Sequence, residues 1–205
     1  WLDVKTTGTP ADVEARMGYD AYGNLVCSAD ANGNLLTTLY DSSNSFPVKE
    51  TDALGHETIT SYYGVDGVLA DNGLYGQIKI VTDPNGASTT SEYDAFGRKV
   101  KETLSDASWQ SWAYNNFGTV GSQHIYSTNS FGLWSESYFD GLGRTIKERS
   151  RAADNKVAVT LSSYDARGKV TQSSLPHFEG ETVYNVTTQF DAAGRPKQVS
   201  KPDGS

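Results

Sequence analysis

The sequence predicts an all-β protein in which a short antiparallel β-hairpin is repeated along one strip. Three observations lead to this prediction. The pattern Asp-x-x-Gly recurs along almost the whole chain, the segments between its copies are rich in β-branched and aromatic residues, and long runs of Ala, Leu, Glu and Lys at helical spacing are missing. Residues 1–205 are therefore expected to form a single repeat array.

Each copy of the pattern predicts a tight turn between two strands. The Asp side chain can accept hydrogen bonds from the backbone two residues on, and the Gly supplies the positive φ that closes the turn. The copies are Asp20–Gly23, Asp30–Gly33, Asp52–Gly55, Asp83–Gly86, Asp94–Gly97, Asp140–Gly143, Asp165–Gly168 and Asp191–Gly194. Asn115–Gly118 is interpreted as the same turn with Asn in first place, and Asp41–Asn44 as the same turn with Asn in last place.

The flanking segments have the composition of strands. The predicted strands include Leu35–Tyr40, Thr58–Tyr63, Gln77–Thr82, Val157–Leu161 and Thr182–Thr187. Many of them carry Thr and Ser at successive positions, so apolar and polar residues alternate only weakly. This indicates a sheet with both faces partly in water, or one that packs on something outside this chain.

The turns fall into two classes by the residue that precedes them. One class has an aromatic residue there: Tyr19, Tyr40, Tyr93, Tyr114, Phe139, Tyr164 and Phe190. The other has Ala29, Thr51 or Thr82. The classes alternate in the first half, which predicts that the aromatic turns lie along one side of the sheet and the Ala and Thr turns along the other.

The second half has longer repeats. Its aromatic turns begin at residues 115, 140, 165 and 191, and the opposite turns are expected at 129–132, 153–156 and 177–180. In the first half the interval from Asp41 to Asp94 lacks one aromatic turn. Residues 64–76 are interpreted there as a loop insertion, an extended hairpin loop that is expected to be mobile.

The remaining features of the chain concern its first residues, its charge, its apolar segments and its cysteine. At the start, a helix beginning at Thr9-Pro10 is an alternative to the preferred strand through Val13–Tyr19. The net charge of -8 argues against a nucleic-acid surface. No apolar stretch approaches the length that a membrane-spanning helix needs. Cys27, the single cysteine, is expected to be a small packed side chain, and the chain is expected to be a piece of a longer protein.

Five runs carry a resemblance to a known family. They are Tyr19-Asp20-Ala21-Tyr22-Gly23-Asn24, Tyr93-Asp94-Ala95-Phe96-Gly97-Arg98, Phe139-Asp140-Gly141-Leu142-Gly143-Arg144, Tyr164-Asp165-Ala166-Arg167-Gly168-Lys169 and Phe190-Asp191-Ala192-Ala193-Gly194-Arg195. These runs resemble the YD repeats of the RHS family. The second half, with Ser174-Leu175-Pro176-His177-Phe178, is most similar to the B-subunit and SpvB-like side of Tc toxins. The aromatic, Asp, Gly and Arg positions of these motifs are predicted to be structural turn residues.

The resemblance implies a fold and a role. Family members are large bacterial secreted or surface proteins whose antiparallel strip curves into a spiral, hollow β-shell, and in toxins the shell encloses a C-terminal effector. The partners implied are the rest of the parent polypeptide or its subunits and that effector, with no nucleic acid and no membrane span. Some members also cleave themselves at an Asp-Pro-x-Gly-Leu motif. Asp83-Pro84-Asn85-Gly86 matches it in part, but Ala87 replaces the Leu, and the run is interpreted as an ordinary turn.

The candidate chemical groups fit structural roles better than catalytic ones. His56, His124 and His177 lack metal-ligand spacing, and Ser173, Ser174 and His177 lack a nucleophile elbow. The Asp turns could hold Ca²⁺ if stacked, but one carboxylate per turn is a small ligand set. Trp109, Trp112 and Trp134, with Phe117 and Phe131, could form a local aromatic core or a carbohydrate patch. The sequence therefore predicts no catalytic residue, no metal and no cofactor.

Two functions remain from the sequence, with an enzyme of unknown type as a remote third. The first is a structural segment of an encapsulating RHS shell. The alternative is a surface adhesion module that recognises glycans or a receptor through the aromatic residues or the 64–76 loop. Terminal strands of a repeat array are unpaired, so strand-edge self-association is also predicted.

Overall fold

The computed structural model describes residues 2–5 and 14–204. All the regular structure in these ranges is β-strand, apart from one 3-10 turn at Ala153–Asn155. None of the helices in the described ranges has the length and apolar character needed to cross a membrane. The chain divides into two compact units, Trp1–Trp109 and Gln110–Ser205. The alternative helix at Thr9-Pro10 lies outside the described residues.

The first unit is a run of antiparallel strands in which each strand pairs with the next. The strands are β1 (Leu2–Lys5), β2 (Glu14–Tyr19), β3 (Leu25–Ala29), β4 (Leu35–Tyr40), β5 (Pro47–Thr51), β6 (Glu57–Tyr62), β7 (Ile78–Thr82), β8 (Ser88–Tyr93) and β9 (Lys99–Thr103). The connections of five or six residues between most of these strands favour this order, because short connections join neighbouring antiparallel strands. The all-β hairpin repeat is thus confirmed in this unit.

The second unit, which takes in β10 from its second residue onward, repeats the same plan with one irregularity. Its strands are β10 (Trp109–Asn115), β11 (His124–Asn129), β12 (Trp134–Phe139), β13 (Thr145–Arg151), β14 (Val157–Tyr164), β15 (Val170–Ser174), β16 (His177–Phe178), β17 (Asn185–Phe190) and β18 (Pro196–Ser200). β14 pairs with β15 near one end and with the short β16 near the other, and β15 pairs with β17. Between β15 and β16 the chain therefore remains beside β14, and both strands pair with β14 at different positions along it.

Pro176 lies between β15 and β16, where a backbone N–H is missing. Just before it in the chain, a side chain takes the place of a backbone acceptor, because Ser174 Oγ accepts a hydrogen bond from the Leu161 N–H at 2.9 Å. The predicted turn at 177–180 is consequently shifted: residues 177–178 are strand, and the Glu181 N–H donates to the Phe178 carbonyl. The predicted strand at Thr182–Thr187 begins only at Asn185.

Successive turns lie at opposite ends of the strands, as consecutive antiparallel pairing requires. In each unit the turns that follow aromatic residues share one end, which we name the aromatic rim. In the first unit it comprises turns 20–23, 41–44 and 94–97 and the loop 63–77, and in the second the loop 116–123 and turns 140–143, 165–168 and 191–194. The other end, the opposite rim, carries turns 30–33, 52–55, 83–86 and 104–107 in the first unit. The predicted separation of the two turn classes is confirmed.

The aromatic rim has a second property that the sequence did not indicate. The strand register shifts by one residue immediately before the aromatic residue, which marks a β-bulge, at Tyr19, Tyr40, Tyr62, Tyr93, Phe139, Tyr164 and Phe190. At the opposite rim, the pairs Ala29–Leu35, Thr51–Glu57 and Thr82–Ser88 continue their ladders without a shift. Because a bulge bends its strand and increases local twist, bending is concentrated at the aromatic rim.

One predicted turn is wrong. Asn115 is the last residue of β10 and pairs with His124, so β10 and β11 are joined by the eight-residue loop 116–123. The Asn115 amide nitrogen lies 3.1 Å from His124 Nε2, and the Gly118 N–H donates to the Gln123 side chain. An Asn followed by a Gly three residues later therefore does not form the tight turn here, because the Asn115 side chain contacts His124 on the paired strand.

The apolar core is small, as the mixed strand faces predicted. Tyr62, Tyr63 and Val65 are the buried apolar residues of the first unit, and Val159 is the one in the second unit, among the residues whose burial is described. Three of these four belong to or adjoin the loop 63–77. The buried part of the first unit therefore centres on that loop and not on the sheet faces.

Gly18 gives a first test of the packing between strands. It is buried on β2 and pairs with Cys27, and a Cβ at Gly18 would lie 2.5 Å from Cys27 Sγ. We expect Gly18→Ala to lower the free energy of unfolding by about 1–3 kcal/mol, since overpacking forces side chains from their rotamers. The loss should be smaller when Cys27→Ala is also present, as measured by urea unfolding of both single variants and the double variant. Equal losses in the two backgrounds would contradict the contact.

Candidate functional site

The turn Asp94–Gly97 shows how the repeated motif is built. Asp94 Oδ1 accepts hydrogen bonds from the N–H groups of Phe96 and Arg98, both at 2.9 Å. The Gly97 N–H donates to the Asp94 carbonyl at 2.9 Å, and Gly97 has a φ of 78°. Because β-carbons disfavour that backbone region, glycine is the favoured residue there. Arg98 Nε donates to Asp94 Oδ2 at 2.7 Å, so both carboxylate oxygens serve the turn.

The predicted turn residues of the other copies follow the same geometry. The first Asp accepts from the N–H of the residue four positions on, and the last Gly has a positive φ, at Asp20–Gly23, Asp30–Gly33, Asp52–Gly55, Asp83–Gly86, Asp140–Gly143, Asp165–Gly168 and Asp191–Gly194. Asn44 has a φ of 56° and closes the turn that begins at Asp41. Asn129–Gly132, predicted only as a degenerate turn, also has the full set of bonds.

The turn hydrogen bonds favour the ionised carboxylate. At Asp140 the Arg144 N–H lowers the pKa, burial raises it, and the Arg144 side chain lowers it further, with a lowered pKa as the net result. At Asp41 burial raises the pKa, but the Ser43 hydroxyl and the N–H groups of Phe46, Ser45 and Ser43 together lower it to about 2. The turn carboxylates therefore serve as hydrogen-bond acceptors within the turns.

Acid should destabilise the protein through Asp41. Since its pKa in the folded state is about 2, below the ordinary value of 3.8, its contribution is complete above pH 4 and is lost as the pH falls towards 2. We expect the free energy of unfolding to decline over this range and the decline to be shallower in Asp41→Asn. Urea unfolding followed by circular dichroism from pH 2 to pH 6 measures both slopes. Parallel slopes would contradict the assignment.

Neighbouring turns of the aromatic rim are also joined to each other. The Asn24 amide donates to the Asn44 carbonyl at 2.8 Å, and the Gln77 amide donates to the Gly97 carbonyl at 2.9 Å. In the second unit, Arg144 Nη1 donates to the Asp165 carbonyl at 3.2 Å. These bonds span 20 or 21 residues, about one repeat. The residue after the turn Gly thus links its own turn to the next one in two of these cases.

Two tyrosines at the aromatic rim use their hydroxyl groups to bind an earlier strand. The hydroxyl groups of Tyr62 and Tyr164 each donate to a strand-end carbonyl one repeat back, that of Pro47 and that of Thr145, both at 2.8 Å. The Arg144 guanidinium lies 4.7 Å from the Tyr164 ring centroid, which is a cation–π contact. Tyr63 and Tyr93, one repeat apart at this rim, make an edge contact with ring centroids 6.2 Å apart.

The loop 63–77 replaces the aromatic turn that is missing from the sequence pattern. The Tyr63 side chain is buried, with 1% of its surface exposed, and its hydroxyl donates to the Ser91 carbonyl at 2.8 Å. The Tyr93 N–H donates to the Asn72 carbonyl at 2.8 Å, so the loop supplies an acceptor at the last residue of β8, where the β8–β9 register shifts. Lys79 Nζ lies 4.9 Å from the Tyr63 ring centroid and 3.0 Å from Asp71. The loop is thereby fixed to the strand and turn that follow it.

The same loop is fixed to the turn that precedes it. Asp66 accepts hydrogen bonds from the Ser42 N–H at 3.2 and 3.3 Å and from its hydroxyl at 2.5 Å. The Phe46 ring packs on Tyr62 and on Tyr75, with centroid distances of 5.1 and 5.7 Å. These contacts do not fit the expectation that residues 64–76 are mobile.

The histidines and serines considered for chemistry have local partners. His56 Nδ1 lies 2.9 Å from Asp52 within its turn, as expected, and His177 Nδ1 lies 3.0 Å from the Leu175 carbonyl. His124 is stacked on Tyr138 with ring centroids 4.6 Å apart. Within the described ranges no three His, Cys, Asp or Glu side chains are grouped as a metal site. The arrangement joins turns and strands and assembles no catalytic set from these residues.

Two of the aromatic residues considered for a cluster contact rings outside that set. Trp134 is stacked on Tyr126, 6.3 Å between centroids, and Phe117 contacts Tyr114. Phe131 is at a turn tip with 77% of its surface exposed. The position of the Trp134 ring follows from the strand pairing: residue 134 is opposite residue 128, so the ring contacts Tyr126 on the adjacent strand.

Comparisons with known proteins agree with this geometry. Residues 75–108 match the family model of the RHS repeat, and no curated protein sequence matches the chain. A crystal structure of TcdB2-TccC3 aligns with 99% of the chain at 14% sequence identity and a TM-score of 0.71. A crystal structure of TcdB2-TccC3 without the hypervariable C-terminal region aligns with 98% of the chain at 12% identity and a TM-score of 0.71. A crystal structure of TcdB2-TccC3-Cdc42 aligns with 90% of the chain at 15% sequence identity and a TM-score of 0.55.

The chain spans 14%, 16% and 10% of the length of those three chains, so it corresponds to a small part of each. The segment matched by the family model contains the turns at Asp83 and Asp94, which have the geometry of the repeated motif. The resemblance stated from the sequence is thus confirmed to this extent: residues 75–108 match the RHS repeat, and the chain has the all-β fold of the TcdB2-TccC3 structures.

Proposed function

We propose that this chain is a wall segment of a Tc-type toxin, one repeat array that helps a larger polypeptide to enclose a C-terminal effector. The observation that carries the proposal is the use of the turn side chains. The Asp carboxylates accept bonds from their own turns, while Asn24, Gln77 and Arg144 reach the next turn of the rim. Side chains arranged in this way extend a sheet by one repeat at a time, which is what a wall requires.

The comparisons support this proposal at the level of the fold. The crystal structures of TcdB2-TccC3 share the fold over nearly the whole chain, and one of them was obtained without the hypervariable C-terminal region of that protein. On this proposal the two compact units are parts of one array. The partners are the remaining parts of the toxin, the location is outside a bacterial cell, and the role requires no cofactor.

Limited proteolysis of the full-length polypeptide that contains this chain tests the proposal. We expect its C-terminal region to resist protease while the wall is intact and to become cleavable in a Tyr63→Ala variant, since Tyr63 joins the loop 63–77 to β8. Phe96→Ser is the matched control, because 83% of the Phe96 surface is already exposed. A C-terminal region that is cleaved as fast in the native protein as when isolated would overturn the enclosure.

The adhesion alternative has less support. Its proposed contacts were the aromatic residues, of which Phe117 and Trp134 contact Tyr114 and Tyr126, and the 64–76 loop, in which Tyr75 is exposed but packs on Phe46. No second function is therefore proposed.

A further inference from the structure

Each unit carries an exposed apolar feature at one of its rims. At the opposite rim of the first unit, a depression of about 490 Å³ lies between the turns at Asp30 and Asp52 and is lined by Leu35, Leu36 and Leu54. Leu54 has 80% of its surface exposed. We name this depression the leucine notch. Exposed leucines grouped at one place are a typical feature of an interaction surface.

The second feature lies at the aromatic rim of the second unit. Leu142 and Val120 have 77% and 72% of their surfaces exposed. A Cβ on Gly141 would lie 3.4 Å from Val120 Cγ2, so Val120 is directly beside the turn that carries Leu142. We name these two side chains the apolar knob. A projecting pair of branched side chains has the chemistry and shape to enter an open leucine-lined depression.

The charges at the two rims are opposite. The opposite-rim turns of the first unit, residues 30–33, 52–55, 83–86 and 104–107, contain four Asp and no Lys or Arg. The aromatic-rim segments 140–144, 165–169 and 191–197 contain three Asp against five Lys and Arg. The three Asp are paired with Arg144, Arg167 and Arg195, which leaves Lys169 and Lys197 in excess within these segments.

The Asp residues beside the notch remain charged at neutral pH. The Asn34 side chain lowers the pKa of Asp30, and the His56 N–H lowers the pKa of Asp52. An acidic margin around an apolar notch attracts a basic margin around an apolar knob and disfavours another acidic one.

We infer that two copies of this chain associate through these surfaces, with the apolar knob of one copy in the leucine notch of the other and Lys169 near the carboxylates of Asp30 and Asp52. This interface joins turns to turns. It is distinct from the strand-edge pairing predicted from the sequence, and it does not depend on the proposed enclosure of an effector.

Sedimentation velocity over a range of protein concentrations tests the inference. We expect the native chain to self-associate at about 50 mM salt and to do so more weakly at about 500 mM, where screening acts over a shorter distance. Leu54→Ser and Leu142→Ser should each weaken self-association by about tenfold or more, because each removes apolar area from the contact. Phe96→Ser, an equally exposed turn-tip change outside both surfaces, should leave it unchanged.

Mixing the two variants gives the sharper result. The Leu54→Ser chain keeps its knob and the Leu142→Ser chain keeps its notch, so a fluorescently labelled sample of one should bind the other with the native affinity. Circular dichroism and urea midpoints confirm that both remain folded. The inference is overturned by a monomeric native chain at every concentration, by native self-association in either variant, or by a mixture that does not associate.

Discussion

Replacing Tyr63 with alanine should lower the free energy of unfolding by about 3–5 kcal/mol, the range for removing a buried aromatic side chain. The ring has 1% of its surface exposed, contacts Tyr93 at 6.2 Å and faces Lys79 at 4.9 Å. Its hydroxyl is bonded to the Ser91 carbonyl. The loss is large because the first unit has few other buried apolar side chains, among its described residues, to limit the cavity.

Tyr63→Phe separates the ring from the hydroxyl. We expect it to cost about 1 kcal/mol, since it removes one hydrogen bond and keeps the packing. Tyr22→Ala is the matched control, because Tyr22 is a turn-tip tyrosine with 73% of its surface exposed and should cost less than about 0.5 kcal/mol. Urea unfolding measures all three variants. A Tyr63→Ala loss no larger than that of Tyr22→Ala would show that the loop does not anchor the unit.

Gly73→Ala should lower the free energy of unfolding by about 1–3 kcal/mol through overpacking. A Cβ there would lie 2.3, 2.5 and 2.9 Å from three carbons of the Tyr63 ring, which its hydroxyl bond holds in place. Gly141→Ala is the matched control. Both glycines lack a positive φ, and the nearest atom to a Gly141 Cβ is at 3.4 Å, an ordinary contact.

The double variant decides whether the clash is the cause. With alanine at position 63 the ring is absent, so Gly73→Ala should then cost little, and the two changes should be non-additive by about 1 kcal/mol or more. Additive losses from Gly73→Ala in both backgrounds would place its effect elsewhere in the loop.

The turns could be predicted because their causes are local. Asp94, Gly97 and Arg98 lie within five residues, and all the bonds that close the turn join them or the backbone between them. The aromatic residue one position earlier then assigned each turn to its rim, because antiparallel hairpins alternate ends. The same local reasoning placed His56 in its turn with Asp52.

The failures concern contacts between residues on different strands. Asn115 has the sequence of a turn residue, but its side chain is used by His124 across the strand pair. Trp134 is near Phe131 in sequence, yet the register places it beside Tyr126. Neither outcome is visible in residue order, because strand register is set by the whole hairpin.

The sequence by itself determined the repeated turns, the all-β class and the separation of the two rims, since each depends on interactions within a few residues. Only the tertiary structure decided that the loop 63–77 is the buried centre of the first unit and that the bulges lie at the aromatic rim. The Tyr63 hydroxyl reaches Ser91, 28 residues away, and the Asn72 carbonyl accepts from the N–H of Tyr93, at the register shift between β8 and β9. From the sequence alone a glycine-rich insertion is expected to be flexible. The hydrogen-bond acceptors and aromatic rings that hold it are distant in sequence, and only the fold brings them together.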